Sequence, residues 1–239
     1  SALPARQKWI SVGLWLLAAS YIYILLLSPT GQIVPGAPAW ATQAATWKEV
    51  IGESTNFFFV VPLFNKLGID YLTAPAIHPV DQALFNLVMA WIFMFLPLLT
   101  LDARSQKLPK TIVWVLSLFL TNAFMIPYMA TRARQPLPES PSPQSKGITA
   151  RIFSIVGIVV SITALLWFWL AMPEVGDGAA RIQYFWSQFT TSRVFFAFCV
   201  DLVFFALFQA VLMGAVETSP RKRWLRFIPV WGLAAWLLA

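Results

Sequence analysis

Apolar runs of about twenty residues recur along this chain, and the run 194–213 carries a carboxylate, Asp201, near its middle. At about 1.5 Å of rise per residue, a helix of that length matches the hydrocarbon thickness of a bilayer. A carboxylate at that depth is costly unless it is protonated, paired or turned towards a polar cavity, so Asp201 needs a partner on another helix. Hydrophobic residues make up 59% of the 239 and charged residues 11%, which excludes a soluble globular chain. The net charge of +7 would suggest nucleic acid in a soluble protein. Here the basic residues gather at the ends of apolar runs, the membrane-topology pattern, so nucleic acid is rejected as a partner. The expected fold class is all-α, a polytopic transmembrane helical bundle of six or seven spans in contact with membrane lipids.

The first span is expected at 9–27, after Arg6 and Lys8. A long connection, 29–81, holds turn chemistry at Pro29 to Gly31 and at Pro35-Gly36. Within it, 41–50 suits a short interfacial helix with Trp40 and Trp47 at headgroup level. The apolar stretch 57–64 is broken by Pro62 and carries Glu53 and Asn56 just upstream. The whole segment 41–67 therefore reads as interfacial or re-entrant, with a tilted span as the alternative. Further spans are expected at 83–101, with Pro79 at its start and Pro97 kinking its end, and at 111–130, with Asn122 inside. The others fall at 152–172, 194–215 and 227–239. A polar, proline-rich linker, 136–145, cannot form a core and separates an N-terminal membrane half, 1–135, from a C-terminal half, 146–239. No internal repeat is evident, which counts against an inverted-repeat transporter. The first residue, Ser1, leaves room for a removed targeting segment.

Lys and Arg in the short loops set the expected topology. Loops 131–151 and 216–226, with Arg132, Arg134, Lys146, Arg151, Arg221, Lys222, Arg223 and Arg226, should face the cytoplasm or stroma. The loop 174–193 should face the other side. The loop with Arg104, Lys107 and Lys110 then also lies on that far side, against the rule. If 50–64 crosses, the Lys and Arg divide eleven against six; if it does not, ten against seven, so seven crossings fit slightly better than six.

His78 is the single histidine, and it precedes Pro79, which biases it towards an extended backbone. It reads either as an axial ligand to a porphyrin-type metal at the interface or as a helix cap. One histidine excludes a bis-histidine haem within the chain and argues against zinc. Asn86, four residues after Gln82, Asn122, next to Thr121, and Gln209, eight residues after Asp201, read as interhelical hydrogen-bonding amides or as oxygen ligands to a chlorophyll magnesium; no other metal is expected. Asp201 suits a proton relay or cation site, but a lone intramembrane acid fits pairing with an amide or a base better. Cys199 admits no intrachain disulfide and reads as packing. There is no nucleophile elbow, His-Glu-x-x-His or phosphate-cradling loop, so catalysis is not expected. Twelve Trp and twenty Phe exceed what interfacial belts need. With few small-xxx-small seams, they suit packing against a larger partner or against pigment rings.

Three stretches carry a resemblance: Ile77-His-Pro-Val-Asp-Gln-Ala-Leu-Phe-Asn86, Leu120-Thr-Asn-Ala-Phe-Met-Ile-Pro-Tyr-Met-Ala130 and Val200-Asp-Leu-Val-Phe-Phe-Ala-Leu-Phe-Gln209. Together they resemble a family of multi-pass membrane proteins from cyanobacteria and plastids in which no motif defines an activity. The resemblance implies a photosynthetic membrane, the thylakoid, and places His78, Asn86, Asn122, Asp201 and Gln209 in the family's recognisable stretches. The expectation that follows is a non-catalytic accessory subunit of a photosynthetic supercomplex, photosystem I with its light-harvesting antenna. Its partners would be photosystem core and antenna subunits, with chlorophyll and carotenoid bound. The alternatives are a small-solute or ion transporter using Asp201 with Asn122 or Gln209, and an assembly factor acting through 29–81.

Overall fold

The computed structural model describes residues 4–41, 67–69, 77–138 and 145–239, and the regular structure in them is all helical. The helices are α1 (Ala5–Ile22), continued by a π-helical turn (Tyr23–Leu27), α2 (Pro79–Leu101), α3 (Lys110–Leu120), α4 (Asn122–Ala133), α5 (Gly147–Leu170), α6 (Gly178–Thr191), α7 (Arg193–Val216), α8 (Pro220–Arg223) and α9 (Trp231–Leu238). Among the described residues, four stretches are long and apolar enough to cross a membrane: Ala5–Leu27, α2, α5 and α7. They contain the spans expected at 9–27, 83–101 and 194–215 and most of the one at 152–172. All but the ends of the expected segment 41–67 lies outside the described residues, and so do residues 139–144 of the linker.

The chain divides into two compact units, one of Ser1–Ile24, Val88–Ser161 and Val200–Ala239, the other of Leu25–Leu87 and Ile162–Cys199. Both take residues from both sides of the proline-rich linker, and α2, α5 and α7 contribute to both.

In the first unit α1 packs on α4. Its buried positions, Ser11, Ala18 and Tyr21, share one face, and the Ser11 hydroxyl donates to the Ala130 carbonyl at 2.8 Å. Beyond its basic first turn, α1 exposes Trp9, Ile10, Val12, Trp15 and Leu16, the apolar surface a lipid-facing helix requires. On α5 the buried residues Ala150, Ser154, Gly157 and Ser161 recur at steps of four and three and present one stripe of small side chains. Gly157 lies so close to the Met94 side chain that a Cβ there would collide with it. The expectation of few small-residue seams is therefore corrected. Small residues let membrane helices approach, because packing replaces the hydrophobic effect as the driving force in lipid.

The expected single span at 111–130 is also corrected. The helix breaks at Thr121, whose φ of 45° and ψ of −116° end α3 and start α4. The Thr121 N–H still closes α3 on the Ser117 carbonyl, and its own carbonyl accepts the first N–H groups of α4, from Phe124 and Met125. α3 and α4 pack on each other, and their outer ends meet. Arg104, before α3, donates to the carbonyls of Ala133 and Gln135 at the end of α4. The element is a helical hairpin with Thr121 at its tip.

In the segment 227–239, expected as a span, the helix α9 covers eight residues up to Leu238, about 12 Å of rise. It follows a turn at Val230 (φ 59°) and runs back along α5: Trp231 donates to Ser161, Ser154 to the Ala234 carbonyl, and Lys146 to the Trp236 carbonyl. Trp236 also donates to Glu217, so the segment 217–238 begins and ends at one place.

In the second unit, Pro79 opens α2 where its missing N–H costs nothing. The segment 174–193, expected as a plain loop, contains α6, capped by Asp177 accepting the Ala180 N–H. Arg181 on α6 is buried and donates to the carbonyls of Phe168, Ala171, Met172 and Gly176, closing the C-terminal end of α5. Arg193 does the same for a loop, donating to the carbonyls of Ser28, Pro35 and Gly36. Gly36 has φ of 73°, and any side chain there would press on Arg193.

Candidate functional site

Asp201 on α7 is the centre of a closed polar cluster in the first unit. One carboxylate oxygen accepts from the Tyr21 hydroxyl at 2.6 Å and from the Asn122 amide at 2.7 Å; the other accepts from the Thr121 hydroxyl at 2.7 Å. Tyr21 and Thr121 also lie within hydrogen-bonding distance of each other, at 3.1 Å. All four residues are buried, Asp201 to 1% exposure. Asn122 is the first residue of α4, so the partial positive end of that helix lies beside the acid. Thr121 is a β-branched residue at positive φ, a conformation that persists only where its surroundings impose it. Here two hydroxyl contacts and the start of a helix do so. The Asn122 Oδ1 atom is buried without a partner among the described residues.

The sequence identified Asp201 and Asn122, and the structure brings them together. Tyr21 escaped notice because a tyrosine near a span end reads as an interfacial anchor. Gln209, weighed as an alternative partner for Asp201, is engaged elsewhere. Its carbonyl oxygen accepts from the Trp91 indole at 2.8 Å, and its amide donates to the carbonyls of Arg226 and Ile228. Both ends of that side chain are used, and they fix the descending limb of the C-terminal hairpin.

A second buried carboxylate, Asp102, directly follows α2. It pairs with Arg132 through two bonds, Nε to Oδ2 at 2.6 Å and Nη2 to Oδ1 at 2.9 Å, with both side chains at most 5% exposed. Ser105 donates to the same carboxylate, Tyr128 donates to Ser105, and Lys110 donates to the Asp102 carbonyl. Burial alone would raise the Asp102 carboxyl, but the hydrogen bond and charge of Arg132, with help from Ser105 and Lys110, hold it below its ordinary value. This pair locks the mouth of the α3–α4 hairpin, as Asp201 locks its tip.

In the second unit His78 caps α2, its Nδ1 accepting the Val80 N–H at 3.2 Å. Its ring stacks on Tyr184, with centroids 3.5 Å apart, and Tyr184 donates to Asp81 at 2.7 Å. Burial and the nearby Arg181 charge push the His78 imidazole below its ordinary value. With Nδ1 accepting, the neutral ring carries its proton on Nε2 and has no lone pair there for a metal. Asn86 donates to the Gln82 carbonyl one turn back, and Gln82 accepts from Trp167 at 2.7 Å. The candidates therefore do not fit an axial chlorophyll ligand. His78 and Gln209 have their acceptor atoms engaged, Asn86 is buried in protein contacts, and the free Asn122 oxygen is fully enclosed. Among the described residues no three His, Cys, Asp or Glu side chains converge to hold a metal ion.

Comparison with protein-family models, with curated proteins and with solved structures returned no match.

Proposed function

We propose that this protein is a non-catalytic subunit of a larger membrane complex, whose described residues cross the bilayer four times and enter it from one face as the α3–α4 hairpin. The joined ends of the α3–α4 hairpin support the topology, because they return the chain to the face where α2 ended. The loop with Arg104, Lys107 and Lys110 then no longer runs against the positive-inside rule. Residues 28–36 are tied to Arg193 and His78 is stacked on α6, which puts both ends of the 28–78 connection on the far face. Arg6, Lys8, the three basic residues of 104–110, the four of 132–151 and the four of 221–226 fall on the opposite face, thirteen of the seventeen Lys and Arg. Only Arg181 and Arg193 among the described residues fall on the far face.

The observation that carries the subunit reading is the contrast between a sealed polar interior and an aromatic exterior. Trp9, Trp40, Phe119 and Phe227 are each at least 66% exposed. Exposed rings in this number suit a partner helix or a flat pigment. The resemblance directs the reading to a photosynthetic membrane, with photosystem I and its antenna as partners. Chlorophyll and carotenoid then belong to the proposal through these exposed faces. Mild-detergent extraction from the native membrane, with an absorption spectrum and subunit identification of the same band, tests it. Stoichiometric migration with a pigmented photosystem is expected; a colourless band migrating alone overturns it.

One observation favours a transporter as the second reading. A broken helix beside an intramembrane acid combines two features from which carriers build binding sites near the middle of the bilayer. The closure of Asp201 weighs against it. Ion flux in proteoliposomes that is abolished by Asp201→Asn would move the conclusion to transport.

A further inference from the structure

Beside the locked hairpins, the first unit has a cleft of about 580 Å³. Its polar wall comes from the start of α5, with Lys146 and Arg151, and from the segment after α7, with Glu217 and Lys222. Its apolar floor includes Leu101 and Trp236. The three cations outnumber the one acid, and that acid is committed: Glu217 accepts from the Ser219 N–H and from the Trp236 indole. Among the described residues the only ion pair is Asp102–Arg132, so no cleft cation is in ion-pair contact with an acid; Lys222 donates to the Ala239 carbonyl at 3.0 Å, and Glu217 lies near enough to Lys146 and Lys222 to offset part of their charge. The Lys146 amino group lies over the Trp236 ring, 4.4 Å from its centroid. Burial and the Lys222 charge hold it below its ordinary value, with Glu217 offsetting part of this. Arg151 makes no hydrogen bond among the described residues and is exposed at the rim.

Two like charges facing one cavity are unfavourable until an anion enters between them. The cleft is roomy enough for a tetrahedral oxyanion and the groups attached to it. It lies where α5 begins and α7 ends, which is the membrane interface, and it is polar on one side and apolar on the other. We propose that this cleft binds a phosphate- or sulfonate-type oxyanion carried on the headgroup of an anionic membrane lipid, held by Lys146, Lys222 and Arg151. The proposal rests on the topology above only for the leaflet, since that topology puts the cleft on the basic face. Bound there, the lipid would fasten α5, α7 and the end of α9 together.

The test is the melting midpoint of the full-length protein in neutral detergent. Short-chain phosphatidylglycerol, short-chain phosphatidylcholine and inorganic phosphate are titrated separately. Phosphatidylglycerol should raise the midpoint and phosphatidylcholine should not. Lys146→Gln with Lys222→Gln should weaken the phosphatidylglycerol response roughly tenfold or more. Lys107→Gln, an exposed cation outside the cleft, should leave it intact. A double variant that no longer folds is replaced by Arg151→Gln, which breaks no hydrogen bond and should still weaken the response. A response to inorganic phosphate equal to that of phosphatidylglycerol would keep the oxyanion site and overturn its assignment to lipid. Equal responses to both lipids, or a full response in the cleft variants, overturn the proposal. Because binding is read in detergent, it succeeds or fails independently of topology.

Discussion

Two carboxylates of the same unit are buried to nearly the same degree and are satisfied in opposite ways. Asp102 meets a guanidinium in a two-bond pair; Asp201 meets only neutral donors, two hydroxyls and an amide. The difference follows from where each lies on its helix. Asp102 directly follows α2, where a long Arg side chain from the mouth of the hairpin reaches it. Asp201 lies well inside α7, where importing a second charge would add another desolvation penalty of several kcal/mol. Short neutral donors avoid that penalty and demand close approach. The hairpin tip, bent at Thr121, is built to provide it. Together the two acids pin the α3–α4 hairpin at mouth and tip, one by charge and one by hydrogen bonding.

The largest effect should come from separating the charged pair. Arg132→Met leaves Asp102 buried and uncompensated, a loss of about 3–5 kcal/mol. Asp102→Leu with Arg132→Met should recover most of it, since a buried pair replaced by apolar residues is often near neutral. Thermal unfolding in detergent reads both. The pair should also be acid-sensitive. Because folding holds the Asp102 carboxyl below its ordinary value of 3.8, the unfolded chain binds more protons in the interval between. The stabilisation is complete above pH 3.8 and declines as the pH falls through the lower folded value. The double variant should lack this component. If Arg132→Met costs no more than a surface change, the mouth is not locked by charge.

The neutral cluster should be less costly to disturb. Asp201→Leu removes three hydrogen bonds, from Tyr21, Thr121 and Asn122, which at about 0.6 kcal/mol per bond between membrane helices is a cost of about 2 kcal/mol. Asp201→Asn retains an acceptor oxygen and should lie nearer wild type. Labelling gives the sharper test of the hairpin itself. With Cys199 replaced by Ser, cysteines at Lys107 and Arg134 should react with an impermeant maleimide from the same side of the membrane. A cysteine at Glu174 should react from the other. Reaction of the first two from opposite sides would restore a single span through 111–130 and break the comparison.

Much of this architecture was legible, and the unread part has a physical reason. Apolar length alone identified the four long helices, and the position of Asp201 within its run implied the polar partners that the structure supplies. The hairpin was not legible, because 111–130 is as long and apolar as a true span. The break is made by tertiary contacts at Thr121, with no Gly or Pro there to announce it. Its trace in the sequence was indirect: a single crossing left Arg104, Lys107 and Lys110 on the wrong face. α6 was missed because Arg181 reads as solvent charge until its inward bonds to the end of α5 are seen. The pairing of Asp102 with Arg132, thirty residues apart, has no local signature.

Gln209 shows neutral satisfaction without any acid and should rank next. Gln209→Leu removes three hydrogen bonds at once, those with the Trp91 indole and with the carbonyls of Arg226 and Ile228, of which Ile228 keeps its bond from the Gly232 N–H. Bonds between membrane helices average about 0.6 kcal/mol in double-mutant cycles, so a loss of about 1–2 kcal/mol is expected. Trp91→Phe removes one of the three and should cost less. Equal losses would place the whole contribution in the indole bond and none in the fastening of the C-terminal hairpin.

The smallest effect separates the two modes of satisfaction by pH. His78 is a titratable group at the end of a membrane helix that, like Asp201, uses a neutral hydrogen bond, its Nδ1 accepting from Val80. Burial and the Arg181 charge depress it, while Asp81 is engaged by Tyr184. With its folded value below the ordinary 6.5, the unfolded chain again binds more protons in the interval between. The stabilisation is full above pH 6.5 and declines as the pH falls through the folded value. His78→Asn keeps a side chain that caps helices well but cannot titrate. It should flatten the stability profile just below pH 6.5 and leave the Asp102 component, below 3.8, in place. If the profile below 6.5 is unchanged, His78 does not hold its cap as the neutral ring.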